Sequence, residues 1–355
     1  MAAEDLPIVL YHYVQSPYAR RVIWYLNLRK IPYTECLQPP IMPRPDVAQL
    51  GVAYRRIPLL AIGRDVYLDT RLILQKLEAL FPASEAHPSL SAAASNAEGR
   101  ALQSGLLSAW TNDAGGLFWN GVSLMPAELP GTNDPKFLAD RAEMMGLPRD
   151  GPSPISKEAR AARRPQALCE IAEAMHLLES TLLAGSDSDG NSKNWLLGTE
   201  RPTLADIEAV FVFVWLASMS ALPKDTMGPE AFPRLYAWMA RFTKTVEAAE
   251  KENGAPKSAG GDEAAKAIFG SAFAEAEGSV DGSNPIVVAE GLKKGDRVKV
   301  WPTDSGFGHK ESGKLVSMSL KEIVVEVQGK EDSVRVHAPR HGFKVKKDVE
   351  TSSNI

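Results

Sequence analysis

Residues 8–30, IVLYHYVQSPYARRVIWYLNLRK, and residues 55–82, RRIPLLAIGRDVYLDTRLILQKLEALFP, are the two stretches that decide the fold. Val9, Tyr11 and Tyr13 alternate with Ile8, Leu10 and His12, the period of two expected of a strand. Ser16-Pro17 then opens a helix, since serine is a good N-cap and proline is at ease in the first turn. Ala19, Val22, Ile23 and Leu26 follow at helical spacing and are expected to face a sheet. A second strand is expected over 33–37. Pro58 precedes an apolar run over 59–62, Gly63-Arg64-Asp65 makes a turn, and 66–68 gives a short strand. Asp69-Thr70 starts a helix carrying Ile73, Leu77, Leu80 and Phe81. The order is βαβ followed by ββα, the thioredoxin-like arrangement.

Outward from this core, the polar link ASEAHPSLSAA (83–93) ends the first module, assigned to 1–84. A second, all-helical module is assigned to 85–250. Leu102, Leu106, Leu107 and Trp110 form a first helical stripe. Regularity is expected to fail over 113–165, a stretch rich in Gly and Pro. Leu168, Ile171, Met175, Leu178 and Leu182 then mark an amphipathic helix, followed by the loop GSDSDGNSKN. Thr203 with Asp206 forms a capping-box variant and reads as a pair of folding residues. The longest apolar run, 209–222, is too short for a membrane span and reads as a buried helix.

Past residue 250 the composition shifts to Ala, Gly, Ser, Glu and Lys, a linker assigned to 251–285. It holds one amphipathic piece whose Ile268, Phe269 and Phe273 imply docking on a neighbouring surface. DRVKVWP, GKLVSMSL, EIVVEVQ, SVRVHA and GFKVKK then alternate with period two. They imply a small antiparallel barrel, SH3-like in strand count, over 286–347, with a tail over 348–355.

Net charge is −4, so nothing in the overall balance calls for nucleic acid or anionic lipid. Between Lys293 and Lys347 there are 13 Lys/Arg against 7 Asp/Glu, which suits a solvated surface or a patch docked on the acidic remainder. The two cysteines, Cys36 and Cys169, lie far apart and suit a reduced compartment. No secretory signal is visible at the N-terminus, so a cytoplasmic location is expected. The six histidines show no metal-ligand spacing with the cysteines, and no metal is expected. Neither a phosphate-binding glycine loop nor a Gly-x-Ser-x-Gly nucleophile turn is present.

Ser16, Pro17, Tyr18, Arg21 and Val22, with Ile57-Pro58 and Asp69-Thr70, resemble the N-terminal domain of the serine-type glutathione transferases. Gly198, Thr203, Ala205 and Asp206 are similar to the opening of that family's central buried helix, and FPRLYAWMARF (232–242) to a late C-terminal helix. The appended strands resemble a fungal-type branch with an extra C-terminal domain. The resemblance implies an enzyme with glutathione as co-substrate and an electrophilic small molecule as partner, in detoxification or secondary metabolism. It also implies a homodimer. Conjugation and isomerisation both fit, and a non-catalytic binding or regulatory protein on the same fold is the alternative.

A free thiol has a pKa near about 8.5, so a thiolate site needs a hydrogen-bond donor and a positive field. Ser16 at a helix N-terminus suits that role, and it also suits a plain N-cap. Tyr13 is the second candidate donor, whereas Tyr11 lies deeper and reads as core. The resemblance implies a cis Pro58 that leaves the Ile57 backbone to pair with the cysteinyl backbone. It also implies that Asp69 and Thr70 hold the γ-glutamyl end, although Asp is shorter than the family's Glu or Gln. Arg55 and Arg56 suit the glycyl carboxylate or a solvated pair. Trp110, Phe118 and Trp119 suit a second-substrate pocket or a core.

Overall fold

The computed structural model describes residues 3–91, 97–110, 116–185 and 193–348. The side chains of Leu106 and Leu107 lie outside the described residues, as does most of the expected loop at 185–194. The chain divides into two compact units, one formed by residues 1–19, 32–81 and 256–355, the other by 20–31 and 82–255.

In the first unit, β1 (Ile8–His12) and α1 (Pro17–Leu28) are followed by β2 (Thr34–Leu37) and a short α2 (Pro45–Ala48). Then come β3 (Leu59–Ile62), β4 (Asp65–Leu68) and α3 (Thr70–Leu80). β1 pairs parallel with β2 and antiparallel with β3, and β3 pairs antiparallel with β4. This is the thioredoxin-like order read from the alternation. All five β1 residues are buried, so the sheet is covered on both faces. The unit boundary runs through α1 itself. From Arg20 onward the helix belongs to the second unit, where Arg21 pairs with Glu208 and Trp24 sits edge-on to Phe242 at 5.1 Å.

The second unit is helical: α4 (Ala97–Trp110), α5 (Leu117–Leu124), α6 (Pro135–Met144), α7 (Lys157–Leu177), α8 (Leu204–Ser218), α9 (Lys224–Met227) and α10 (Pro233–Asn253). The expected irregularity over 113–165 is corrected, because α5, α6 and the first turns of α7 fall within it. Local start signals explain the difference. Asp134 accepts the Lys136 N–H at 2.7 Å just before Pro135, and Ser156 accepts the Ala159 N–H at 3.2 Å. α7 even runs through Pro165, held by the buried stripe Ile171, Met175 and Leu178 further along. Asp206 in α8 accepts from the backbone N–H groups of Leu196 and Thr203, the Thr203 hydroxyl and the Trp238 indole. Those donors, and its complete burial, make it a folding residue.

The C-terminal third departs from the expected organisation. The segment assigned as a linker forms β5 (Lys257–Ser258) and α11 (Gly261–Phe269), and α12 (Pro285–Glu290) follows. β5 pairs parallel with β2. The five period-two runs are β6 (Arg297–Pro302), β7 (Glu311–Met318), β8 (Glu322–Gln328), β9 (Ser333–Pro339) and β10 (Phe343–Lys347). They pair antiparallel in the order β10-β6-β7-β8-β9, and β9 then pairs parallel with β4 through Asp65 to Tyr67. The result is one ten-stranded sheet, β10-β6-β7-β8-β9-β4-β3-β1-β2-β5.

The boundaries 251–285 and 286–347 therefore do not isolate a tethered module. β4 would otherwise be an edge strand with unpaired backbone groups, and β9 supplies its partner. Ile268 and Phe269 are buried in the same apolar core as Val9, Leu59, Val325 and Val336. Phe273, half-buried, has the guanidinium groups of Arg64 and Arg335 at 4.5 and 4.0 Å from its ring centre. Close approach is required at Gly63, where φ is +55° and a Cβ would stand 2.2 Å from the Ala272 carbonyl oxygen.

Candidate functional site

Strand register gathers the candidate residues at one end of the sheet. Tyr11 pairs with Leu59, and Leu59 with Leu68. The chain leaving β1 through Tyr13 to Ser16, the Ile57–Pro58 bond before β3, and Asp69-Thr70 after β4 therefore all emerge there. The Ile57–Pro58 bond is cis, as the resemblance implied, and so is Met42–Pro43. Ile57 is half-exposed and Pro58 buried.

Ser16 is the N-cap of α1, its Oγ accepting the Ala19 N–H at 3.2 Å, and only 2% of the residue is exposed. An accepting hydroxyl keeps its own proton to donate. Tyr13 is half-exposed, with the Arg44 guanidinium 6.0 Å from its ring centre. Tyr11 is fully buried and burial drives its phenol pKa well upward, so it belongs to the core. Cys36 beside it is also buried, its thiol pushed up to about 12 by burial and by the Asp46 carboxylate, against a hydrogen bond from Gln38. It is an inert thiol.

Asp69 caps α3, accepting the Arg71 N–H at 3.0 Å, and has φ +67°. That left-handed conformation is rare for a residue with a Cβ and concentrates at functional sites. Thr70 follows, buried, at the first helical position. Arg71 carries a buried Nε without a hydrogen-bond partner among the described residues, a donor beside the α3 N-terminus. The expected roles of Arg55 and Arg56 are corrected in part. Arg55 is buried, and Arg56 pairs with Asp304 at 2.7 Å while lying over Tyr54 and Phe343, so Arg56 faces the C-terminal strands.

Arg44 was not legible in sequence as a site residue. It is buried, donates to the Pro39, Pro40 and Arg55 carbonyls, and ties the loops around this end together. A lone arginine in the proline-rich stretch QPPIMPRP gives no periodic signal. Trp110, buried and edge-on to Phe213, is core. Phe118 and Trp119 are half-buried, and Phe118 stacks on Trp215 at 5.7 Å.

A second polar cluster lies where β4 meets β9. His337 Nε2 bonds Asp65 at 2.8 Å, and its Nδ1 bonds Glu322 at 2.7 Å. Lys76 bridges Glu275 and Glu322 at 2.7 and 2.8 Å, and the Tyr67 hydroxyl donates to Glu275 at 2.8 Å. Glu275, Glu322 and His337 bring possible ligand atoms within 4.8 Å of one another. The Lys76 ammonium already bonds both carboxylates, and both imidazole nitrogens are engaged. The cluster reads as an ion-pair network. Asp65 and Glu322 raise the His337 pKa against the opposing effect of burial.

Residues 10–85 match the family model of the glutathione S-transferase N-terminal domain, and residues 120–251 match a domain of unknown function, DUF7962. The sequence likeness to the glutathione transferases is therefore carried by the N-terminal domain. A solved GST-like protein from Pseudomonas syringae is similar over 96% of this chain and 99% of its own, at 23% identity and TM-score 0.65. It shares the fold over nearly the whole chain. Human glutathione S-transferase T1-1 aligns over 74% of this chain and 91% of its own, at 18% identity and TM-score 0.46. A rice glutathione transferase in complex with glutathione aligns over 74% and 96%, at 18% identity and TM-score 0.46. No curated protein matches. Among the described residues, no helix is long and apolar enough to cross a membrane.

Proposed function

We propose that the thioredoxin-like end of the sheet binds glutathione and activates its thiol for attack on an electrophilic small molecule. The supporting observation is the register that brings Ser16, the cis Ile57–Pro58 bond and Asp69-Thr70 to one sheet end. In this reading the Ile57 N–H and C=O pair with the cysteinyl backbone like an added strand. Asp69 takes the γ-glutamyl ammonium, while the α3 N-terminus with Thr70 takes its carboxylate. The unpartnered Arg71 Nε is a further donor for that carboxylate.

The thiol proton leaves to solvent, Ser16 donates a hydrogen bond through its hydroxyl to the sulfur anion, and the α1 dipole adds a positive field, so the thiolate form is favoured. In conjugation, the sulfur lone pair forms a bond to carbon as the leaving group departs with its electrons. In isomerisation, the thiolate adds and is later expelled. The chain acts in the cytoplasm, as a homodimer in keeping with the family resemblance. The five C-terminal strands are read as SH3-like in their pairing.

The test is retention on immobilised glutathione, then turnover with a generic electrophile for the parent and Ser16→Ala. A lost charge-assisted hydrogen bond is worth about 1.5–3 kcal/mol, so turnover falls roughly ten- to a hundred-fold. Binding changes far less, and the apparent pKa of the bound thiol rises. If Tyr13→Phe carries that loss instead, the donor is Tyr13. Turnover no faster than the uncatalysed rate in the parent and both variants supports the non-catalytic alternative, which the burial of Ser16 favours.

A further inference from the structure

The helical unit contains a cavity of about 330 Å³, within the usual size range of small-molecule pockets. Its basic side is built by one face of α7. Lys157, Arg160 and Arg164 stand at i, i+3 and i+7, and all three line the cavity. Leu124, Met125, Pro126 and Ala221 supply apolar wall, and Glu128 is the one carboxylate among the lining residues.

The two arginines have neutral partners. Arg160 is buried and donates to the Ile155 carbonyl at 3.0 Å and to the Asn133 side-chain oxygen at 3.3 Å. Arg164 donates to the Leu124 and Ala221 carbonyls at 3.2 and 3.0 Å. Those bonds fix each guanidinium in place and leave further N–H groups on each free to donate. Among the described residues, none of the three cations has a carboxylate within ion-pair distance. Burial lowers the Arg160 pKa from its ordinary value, against the pull of Glu158 and Glu128. An uncompensated buried charge is costly, and an anion in the adjoining cavity relieves it. Lys157 also opens a 21-residue helix, whose N-terminal dipole favours negative charge there.

We propose that this cavity is a binding site for a monocarboxylate with an apolar tail, the carboxylate against Arg160, Arg164 and Lys157 and the tail on the apolar wall. The site lies wholly within the helical unit and does not depend on the glutathione reading. A bare inorganic anion would leave the apolar wall unused, and a neutral molecule would leave the cations uncompensated.

The test is calorimetric titration of the full chain with octanoate, with octan-1-ol and inorganic phosphate as controls. Octanoate is expected to bind one per chain, at least about tenfold tighter than either control, and more weakly as salt is raised. Lys157→Glu places a negative charge at the exposed rim without touching the buried bonds, and it should weaken octanoate several-fold while leaving octanol unchanged. Arg164→Gln should weaken octanoate at least about tenfold if it remains folded. Equal binding of octanoate and octanol, equal binding of phosphate and octanoate, absent octanoate binding, or octanoate binding indifferent to Lys157→Glu would each overturn the proposal.

Discussion

The two polar regions of the thioredoxin-like unit differ in how fully their donors and acceptors are used. At the β4–β9 seam every ring nitrogen and carboxylate oxygen of the central groups has a partner. Asp65 takes His337 on one oxygen and the Ala274 and Glu275 N–H groups on the other, and Glu322 takes His337 and Lys76. At the Ser16 end, one hydroxyl lone pair caps a helix while its proton remains to donate, and the Arg71 Nε is buried with no partner among the described residues. A saturated network holds two segments together. Donors left over beside two helix N-termini suit a ligand. Cutting the seam should therefore change stability first, and altering Ser16 should change chemistry first.

Removing residues 256–355 should have the largest effect. It strips β9 from β4, β5 from β2, and Ile268 and Phe269 from the shared core. The truncated chain is expected to be insoluble or molten, seen as loss of a cooperative melting transition. A truncated chain that melts as the parent does would make the C-terminal strands an independent module.

His337→Ala comes next. It leaves Asp65, fully buried, without its imidazole partner, and breaking a buried pair of this kind costs about 3–5 kcal/mol. Denaturant unfolding of the full chain measures it. If the chain stays folded, thiol activation per folded molecule should be unchanged. Ser16→Ala inverts the pattern, losing about 0.5–2 kcal/mol of cap stability and most of its turnover. Similar stability losses in the two variants would erase the contrast.

Much of the thioredoxin-like half was legible in sequence, because its signals are local. Alternation in 8–13, the Ser16 cap, the turn at Gly63 and the Asp69 cap each act within a few residues. The cis bond at Pro58 came from resemblance. The seam was not legible, since His337, Asp65, Glu275 and Lys76 come from four distant segments and no spacing rule connects them. The strands β6 to β10 were found by their period, but a period does not say which edge a strand will join. The cap signals at Asp134 and Ser156 were present in sequence and were obscured by the surrounding Gly and Pro. Arg44 bonds the carbonyls of an irregular, proline-rich loop, and the Arg71 Nε stands buried beside a helix N-terminus, and neither arrangement has a periodic signal in sequence.

The smallest effect is the pH dependence of the seam and of Glu311 at the start of β7, which is buried and accepts from the Tyr54 N–H. Burial raises the Glu311 pKa to about 7, against backbone hydrogen bonds from Ala53 and Tyr54. A folded pKa above the unfolded value means stability that is fully present below the unfolded value, near 4.5, and is lost as pH rises through about 7. His337 has the same sign at higher pH. Its contribution is complete below 6.5 and fades as pH rises through its raised folded pKa. Glu322, lowered by His337 and Lys76, has the opposite sign and is lost only on acidification through its lowered folded pKa. Unfolding free energy should therefore fall from pH 6 to pH 9, by at most about 1.4 kcal/mol per pH unit for each proton, and melting temperature should fall with it. Glu311→Gln removes the step around pH 7 and keeps the later alkaline decline, which His337→Ala removes. A Glu311→Gln profile that parallels the parent across neutral pH would show that this carboxyl is ionised throughout. The alkaline decline would then rest on the His337 seam alone.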